Sequence, residues 1–164
     1  MNAVSLARLG EVHPLLSSKI QQLDSILSAE EIEIQVIQGL RSWQTQATLY
    51  AQGRTAPGSI VTNAPPGYSW HQFGLAVDCC PATAFDPNGA FIPDWNASHP
   101  TWKSMIAKGE ALGLYSGSQF CHLKDMPHFQ LVGRFAVSPD SEVRQLFKDG
   151  GMAAVWEESG LATS

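Results

Sequence analysis

Two short segments of this chain carry residues able to do chemistry together: His71 and Asp78 in SWHQFGLAVD, and Asp125 and His128 in KDMPHFQL. Imidazole and carboxylate are the donor types that zinc takes in proteins. If SWHQFGLAVD were one extended strand, His71 and Asp78 would lie roughly 23 Å apart on opposite faces, at about 3.3 Å per residue. A reversal at Phe73-Gly74, where glycine admits unusual backbone angles, lets the pair converge on one point. In the second segment Pro127 forbids a helix interior and pushes Met126 toward extended geometry. A turn entering a strand is therefore expected, with His128 and Gln130 on one strand face. Two imidazoles and one carboxylate would leave one coordination position for water, the mark of a catalytic rather than a structural zinc site, with Asp125 as a fourth residue, acidic, close by.

The elements that must position these groups follow from hydrophobic period and turn chemistry. From Pro14 to Leu27, apolar residues recur at spacings of three and four, and Pro14 suits a first turn, so an amphipathic helix is expected. EIEIQVIQ alternates strictly, placing Ile32, Ile34 and Val36 on one face of a half-buried strand that Gly39 closes. SWQTQATLYAQG returns to helical spacing, with Ser42 as N-cap and Gly53 as the stop. RTAPGSIVTNAPPGYS reads as a long loop, and loops of that length in a small domain are usually functional. GLAVDCC reads as a strand, and DPNG at Asp86 to Gly89 as a hairpin turn returning through AFI. TWKSMIAKGEALGL is a helix ending at Gly113, HFQLV a short strand, and the residues after Pro139 one or two helices broken at Gly150-Gly151.

A chain of 164 residues, 44% hydrophobic and 15% charged, suffices for one folded domain with a single core. The fold class expected is α+β: a small, mainly antiparallel sheet flanked by helices, with zinc in a groove across the sheet. The formal charge of −5 argues against a protein that grips nucleic acid or an anionic membrane by bulk electrostatics. Three cysteines, Cys79, Cys80 and Cys121, form no disulfide framework and no C-x-x-C site, so small buried packing groups are expected. Arg8, Glu11 and His13 interrupt the N-terminal segment where a secretory signal needs an apolar core, and no stretch is long enough to span a bilayer. Cytoplasmic synthesis, a monomer, and a separate means of release for any work outside are expected.

GLRSWQTQATLYAQGRTAPGSIVTNAPPGYSWHQFGLAVD, followed by ALGL and KDMPHFQL, resembles the zinc D,D- and L,D-peptidases of peptidoglycan, most closely the L-alanyl-D-glutamate endopeptidases of phage endolysins and bacterial cell-wall enzymes. The likeness runs from VHPLL to HFQLV. It rests on the S-x-H-x6-D element, the D-x-P-H element and the G-R-T-x-P-G-x-I-V-T-N-A loop occurring in the family's order. It implies a catalytic core over about residues 12–133 within a single 1–164 domain and a helical tail over 139–164. It also implies His71, Asp78 and His128 as zinc ligands, Asp125 as catalytic acid/base, and Arg41 and Ser69 near the substrate, the stem peptides of peptidoglycan. Two sites depart from the family pattern: Phe120 stands where a tryptophan is common, and LYSG at Tyr115-Ser116 replaces LEWG-like segments that carry one, both sites being expected to line the substrate groove. In a phage setting release would depend on a holin.

The chemistry suits these residue types independently. Zinc lowers the pKa of a bound water to about 7 and polarises the scissile carbonyl, while an adjacent carboxylate carries the water's proton to the leaving amine. A guanidinium at Arg41 suits two roles, stabilising the oxyanion or clamping the carboxylate of a D-glutamyl residue. Gln44, one helical turn on, is expected to support it. Two other activities fit the same motifs: D-alanyl-D-alanine carboxypeptidase or dipeptidase action, and a non-catalytic zinc-binding interaction module, against which Asp125 argues. Ordinary structural roles are expected for His13, His99 and His122, and core or groove-wall roles for the five tryptophans.

Overall fold

A computed structural model describes residues 1–87 and 91–162, apart from the side chains of Thr83 and Ala84. The expected helix from Pro14 is α2, Pro14–Ser28, preceded by α1, Ala3–Leu9, for which no expectation was formed. His13 caps α2 by accepting the Leu15 amide on Nδ1, and Pro14 at the first helical position has no N–H to orphan. Leu16, Ile20, Leu23 and Leu27 share the buried stripe of α2. Each such side chain contributes roughly 1.5–3 kcal/mol on full burial.

Strand β1 (Ile34–Gln38) buries Ile34 and Val36 as the alternation requires, while Ile32 packs against the core from just before the strand. Ser42 caps α3 (Trp43–Ala51) by accepting the Thr45 amide. Residues 54–69 then run without a regular strand or helix, as expected. Strand β2 (Ala76–Phe85) continues past GLAVDCC and pairs with β3 (Phe91–Pro93) in the expected antiparallel return. The hairpin tip placed at Asp86 to Gly89 lies partly outside the described residues. Helix α4 (Pro100–Ala111) ends before Gly113, which has φ 82°. Strands β4 (Tyr115–Ser116) and β5 (His128–Gln130) and helix α5 (Ser141–Glu158) complete the order; within α5 the break falls at Gly151, φ 67°.

The sheet is antiparallel, ordered β1-β2-β5-β4, with β3 on the far end of β2. Its two faces have different fates because side chains alternate along a strand. Val36, Val77, Cys79 and Phe129 meet α1, α2 and α4 in the main core, with Trp102 and Met105 of α4 against them. Asp78, His128 and Gln130 belong to the alternate positions. A second apolar cluster of Trp70, Phe73, Leu75, Val143 and Val155 fastens α5 beside that other face.

Helix α1 covers the outer edge of β1. Ser5 Oγ accepts the Val36 amide at 3.0 Å, and Arg8 Nη1 donates to the Val36 carbonyl at 2.5 Å. Those backbone groups would otherwise offer themselves to another strand.

Candidate metal centre and groove

The reversal between His71 and Asp78 takes the form of a 3-10 turn, Trp70–Phe73, closed by Gly74 at φ 66°. A side chain at Gly74 would be strained in that left-handed conformation and would come within 3.0 Å of the Trp156 ring. Beyond it β2 starts, and register does the rest: Asp78 lies directly opposite His128 in the β2–β5 ladder and opposite Gln38 on the other side. Directly opposed residues share a face with Cβ atoms about 5 Å apart. The turn that delivers His128 is equally tight. The Asp125 amide donates to the Gly117 carbonyl at 3.0 Å, and a Cβ at Gly117 would overlap the Asp125 carbonyl and approach His128 Cβ to 2.7 Å.

His71, Asp78 and His128 each bring one ligand atom within 4.8 Å of the others, so the three expected ligands form a cluster able to hold a metal ion. His71 Nε2 is 3.1 Å from Asp78 Oδ1 and 3.2 Å from His128 Nδ1. The outer nitrogens decide what those inner atoms are. His71 Nδ1 lies 2.9 Å from the Gly39 carbonyl, and His128 Nε2 lies 2.9 Å from Gln130 Oε1. Each outer contact is to an acceptor, so each outer nitrogen carries the proton and each neutral ring turns a lone pair inward. Two lone pairs and a carboxylate then converge on one point. This donor set fits a zinc ion, and acceptors behind both rings are the usual second layer of such sites.

The electrostatics agree. Burial lowers the pKa of His71, against the opposing pull of Asp78. Burial also disfavours charge on Asp78 and on His128. The imidazoles outweigh it at Asp78, holding that carboxyl well below the usual carboxylate range, while Asp78 and Asp125 outweigh it at His128 and raise its pKa. For Asp125, burial first and the Asp78 charge second push the carboxyl up to about 6, with His128 and Arg41 pulling the other way.

Arg41 sits beside the cluster and makes one bond from each of its two terminal nitrogens, while its Nε is buried without a hydrogen-bond partner among the described residues. Nη2 donates to Asp78 Oδ2 at 3.2 Å, and Nη1 donates to Gln46 Oε1 at 3.0 Å. The supporting residue is therefore Gln46 rather than Gln44, which is exposed and outside the groove. The reason is local. With Ser42 as the cap, Arg41 stands just before the helix, and that position meets the fourth helical residue, as in a hydrophobic staple. Here the staple is polar, and the Ser42 cap visible in the sequence was the signal for it. Gln46 is wholly buried and also donates from Nε2 to the Ala64 carbonyl at 2.7 Å, tying the long loop to Arg41.

A groove of about 720 Å³ opens over the cluster. Its lining includes Val61 to Pro65 and Tyr68 from the long loop, and Tyr115, Phe120 and Leu123 from the segment between α4 and β5. Tyr115 stacks on Phe120 with centroids 6.0 Å apart, and Phe120 lies 5.3 Å from the His128 ring, so Phe120 and Tyr115 do line the groove, whereas Ser116 is buried and is not among the residues lining it. Ser69 lines its floor and makes no capping bond to its own turn. His122 reaches the rim, whereas His13 and His99 are helix caps. Of the tryptophans, Trp70 and Trp102 are buried, Trp43 and Trp95 are exposed, and Trp70 also borders the groove. Cys79 and Cys80 are core residues, whereas Cys121 is exposed at the rim.

Residues 10–115, which include His71 and Asp78, match the family model VanY, D-alanyl-D-alanine carboxypeptidase, and the chain belongs to that family. Individual relatives are more varied. It is 29% identical over 129 residues to the peptidoglycan L-alanyl-D-glutamate endopeptidase CwlK of Bacillus subtilis (strain 168), covering 74% of each chain. Its fold is similar to that of the L-Ala D-Glu endopeptidase ChiX of Serratia marcescens, at TM-score 0.56 and 22% identity over 92% of both chains. The LdcB LD-carboxypeptidase is also similar, at TM-score 0.53 and 19% identity over 93% of this chain and 78% of that one.

Proposed function

We propose that this chain is a zinc-dependent endopeptidase that hydrolyses the L-alanyl-D-glutamate bond of peptidoglycan stem peptides, working as a monomer on the outer side of the membrane after release. The observation that carries the metal reading is the inward convergence of two neutral imidazole nitrogens and a carboxylate on the floor of an open groove. Zinc held by His71, Asp78 and His128 supplies a Lewis acid that polarises a carbonyl and eases ionisation of water. Asp125 accepts the proton of the attacking water on its carboxylate and passes it to the leaving nitrogen as the C–N bond breaks. Arg41, fixed by Asp78 and Gln46, offsets the negative charge that grows on the scissile carbonyl oxygen. Ser69 and the walls at residues 61–65 and Tyr115–Phe120 orient the peptide.

The scarcity of cations in the groove favours internal cleavage over removal of a terminal residue. A carboxypeptidase must recognise a free terminal carboxylate, a task suited to an available cation. Arg41 is the sole lysine or arginine among the described groove-lining residues, and one N–H of each terminal nitrogen is engaged, on Asp78 and on Gln46. The relationship to CwlK supports the same choice. The competing D-alanyl-D-alanine carboxypeptidase activity carries the family's description. Digestion of purified muropeptides followed by mass analysis separates the two: endopeptidase action frees the peptide beyond L-alanine, and release of terminal D-alanine alone would reject the proposal. Fragments bound by zinc-loaded protein but left uncut would point instead to an interaction module.

The pKa of Asp125 sets a pH dependence. A proton acceptor must be ionised, and a carboxyl raised toward about 6 is increasingly protonated as pH falls below that value. Bound zinc, being positive, draws this limb lower. We therefore expect kcat/KM to fall about tenfold per pH unit on the acid side below the Asp125 pKa. The residual activity of Asp125→Asn, followed at saturating zinc, is expected to lack that limb; an unchanged limb would assign it to another group.

A further inference from the structure

Gln130 lies two residues beyond His128 on the same face of β5 and is 2% exposed. Its Oε1 accepts from His128 Nε2 at 2.9 Å, while its Nε2 donates to the Val137 carbonyl at 2.9 Å. That carbonyl also accepts Trp70 Nε1 at 2.9 Å, and Trp70 is the immediate neighbour of His71. One backbone oxygen in the segment after β5 thus gathers a donor from beside each of the two histidines. The segment is held down elsewhere as well. The Leu131 amide donates to the Leu75 carbonyl at 3.0 Å, and Phe135 stacks on Trp70 with centroids 5.7 Å apart. Val137 and Ser138 in turn form part of the groove lining.

We infer that Gln130 is a positioning residue that couples the segment 131–140 to the histidine pair, fixing the tautomer of His128 at one end and the Val137–Ser138 wall of the groove at the other. An amide suits this place because it accepts at one end and donates at the other. A carboxylate accepts at both ends, and an alkyl group does neither. The ring of His128 has its inward nitrogen free only while its outer nitrogen has an acceptor. The acceptor keeps its orientation because its own N–H₂ is anchored on residue 137. The inference rests on the proposed zinc reading for its consequence in metal affinity, but its structural half stands on the metal-free protein.

The test uses the full chain with Gln130→Leu and Gln130→Glu. In the metal-free protein at alkaline pH, nitrogen-15 shifts of the His128 ring report which nitrogen carries the proton. Wild type and Gln130→Glu are expected to keep it on Nε2, and Gln130→Leu to lose that preference. Zinc affinity by chelator competition is expected to fall about 10–100-fold for Gln130→Leu. Gln130→Glu, which keeps the acceptor and loses the tie to Val137, is expected to bind zinc as wild type and to raise KM severalfold with little change in kcat. A Gln130→Leu protein with the wild-type tautomer would overturn the inference. So would a Gln130→Glu protein with wild-type KM, which suffices on its own should the leucine variant fail to fold. Should wild type show the Nε2 tautomer but bind no zinc, the zinc reading fails while the coupling through Gln130 stands.

Discussion

Asp125→Asn is expected to retain zinc and to lose hydrolysis by roughly 10²–10⁴-fold, the range that a positioned proton carrier contributes. The substitution preserves shape and exchanges one acceptor oxygen for an amide that takes no proton from water. It leaves untouched the cluster of His71, Asp78 and His128, to which the Asp125 side chain supplies no ligand atom. It also leaves the backbone of the turn in place, because the bonds there run through main-chain groups: the Asp125 amide to the Gly117 carbonyl and the His128 amide to the Asp125 carbonyl at 3.2 Å. Zinc content and kcat/KM on muropeptides, measured on one preparation, give the two halves of the result. Turnover near wild type would remove Asp125 as the proton carrier.

His128→Ala has a different signature, since metal, activity and metal-dependent stability are expected to disappear together. Two donors remain in the cluster, and two are too few for a tightly held zinc ion. A ligand that binds only the native state stabilises it by about 2.7 kcal/mol at a concentration one hundred times its Kd. For a chain of this length that corresponds to a rise in Tm of about 5–10 °C. Zinc added to the chelated wild type is expected to produce such a rise, and zinc added to His128→Ala none. Thermal melts with and without zinc decide it, and a variant still stabilised by the metal would show that His128 is not a ligand. The contrast with Asp125→Asn separates the group that holds the ion from the group that moves the proton.

Much of the architecture was legible before any coordinates. The buried stripe of α2, the alternation of β1, the Ser42 cap and the Gly113 stop are all written in residues a few positions apart. Local sterics also decide the Phe73-Gly74 reversal, so the meeting of His71 with Asp78 followed from one glycine that accepts a positive φ. The antiparallel α+β arrangement and the placing of Tyr115 and Phe120 in the groove agree with the expectations formed from composition and resemblance.

Other features had no local signature. Helix α1 is short, and what gives it a purpose is an edge strand some thirty residues away, to which Ser5 and Arg8 bond. Gln46, by contrast, had one: the Ser42 cap places Arg41 just outside the helix, where it meets the fourth helical residue rather than Gln44.

The sequence by itself determined which residue types could hold a cation, where the chain must reverse, and which faces of the helices and strands are apolar, since each depends on neighbours within a turn or a strand pair. Only the tertiary structure decided that Asp78 stands opposite His128, that the Gly39 carbonyl and Gln130 turn both imidazole lone pairs inward, and that Arg41 bonds to Asp78. Apart from the Gln130 bond, which depends on a side chain held at Val137, those contacts join residues 32 to 50 positions apart in the chain. Strand register and close packing select such partners from many that the same local patterns would allow.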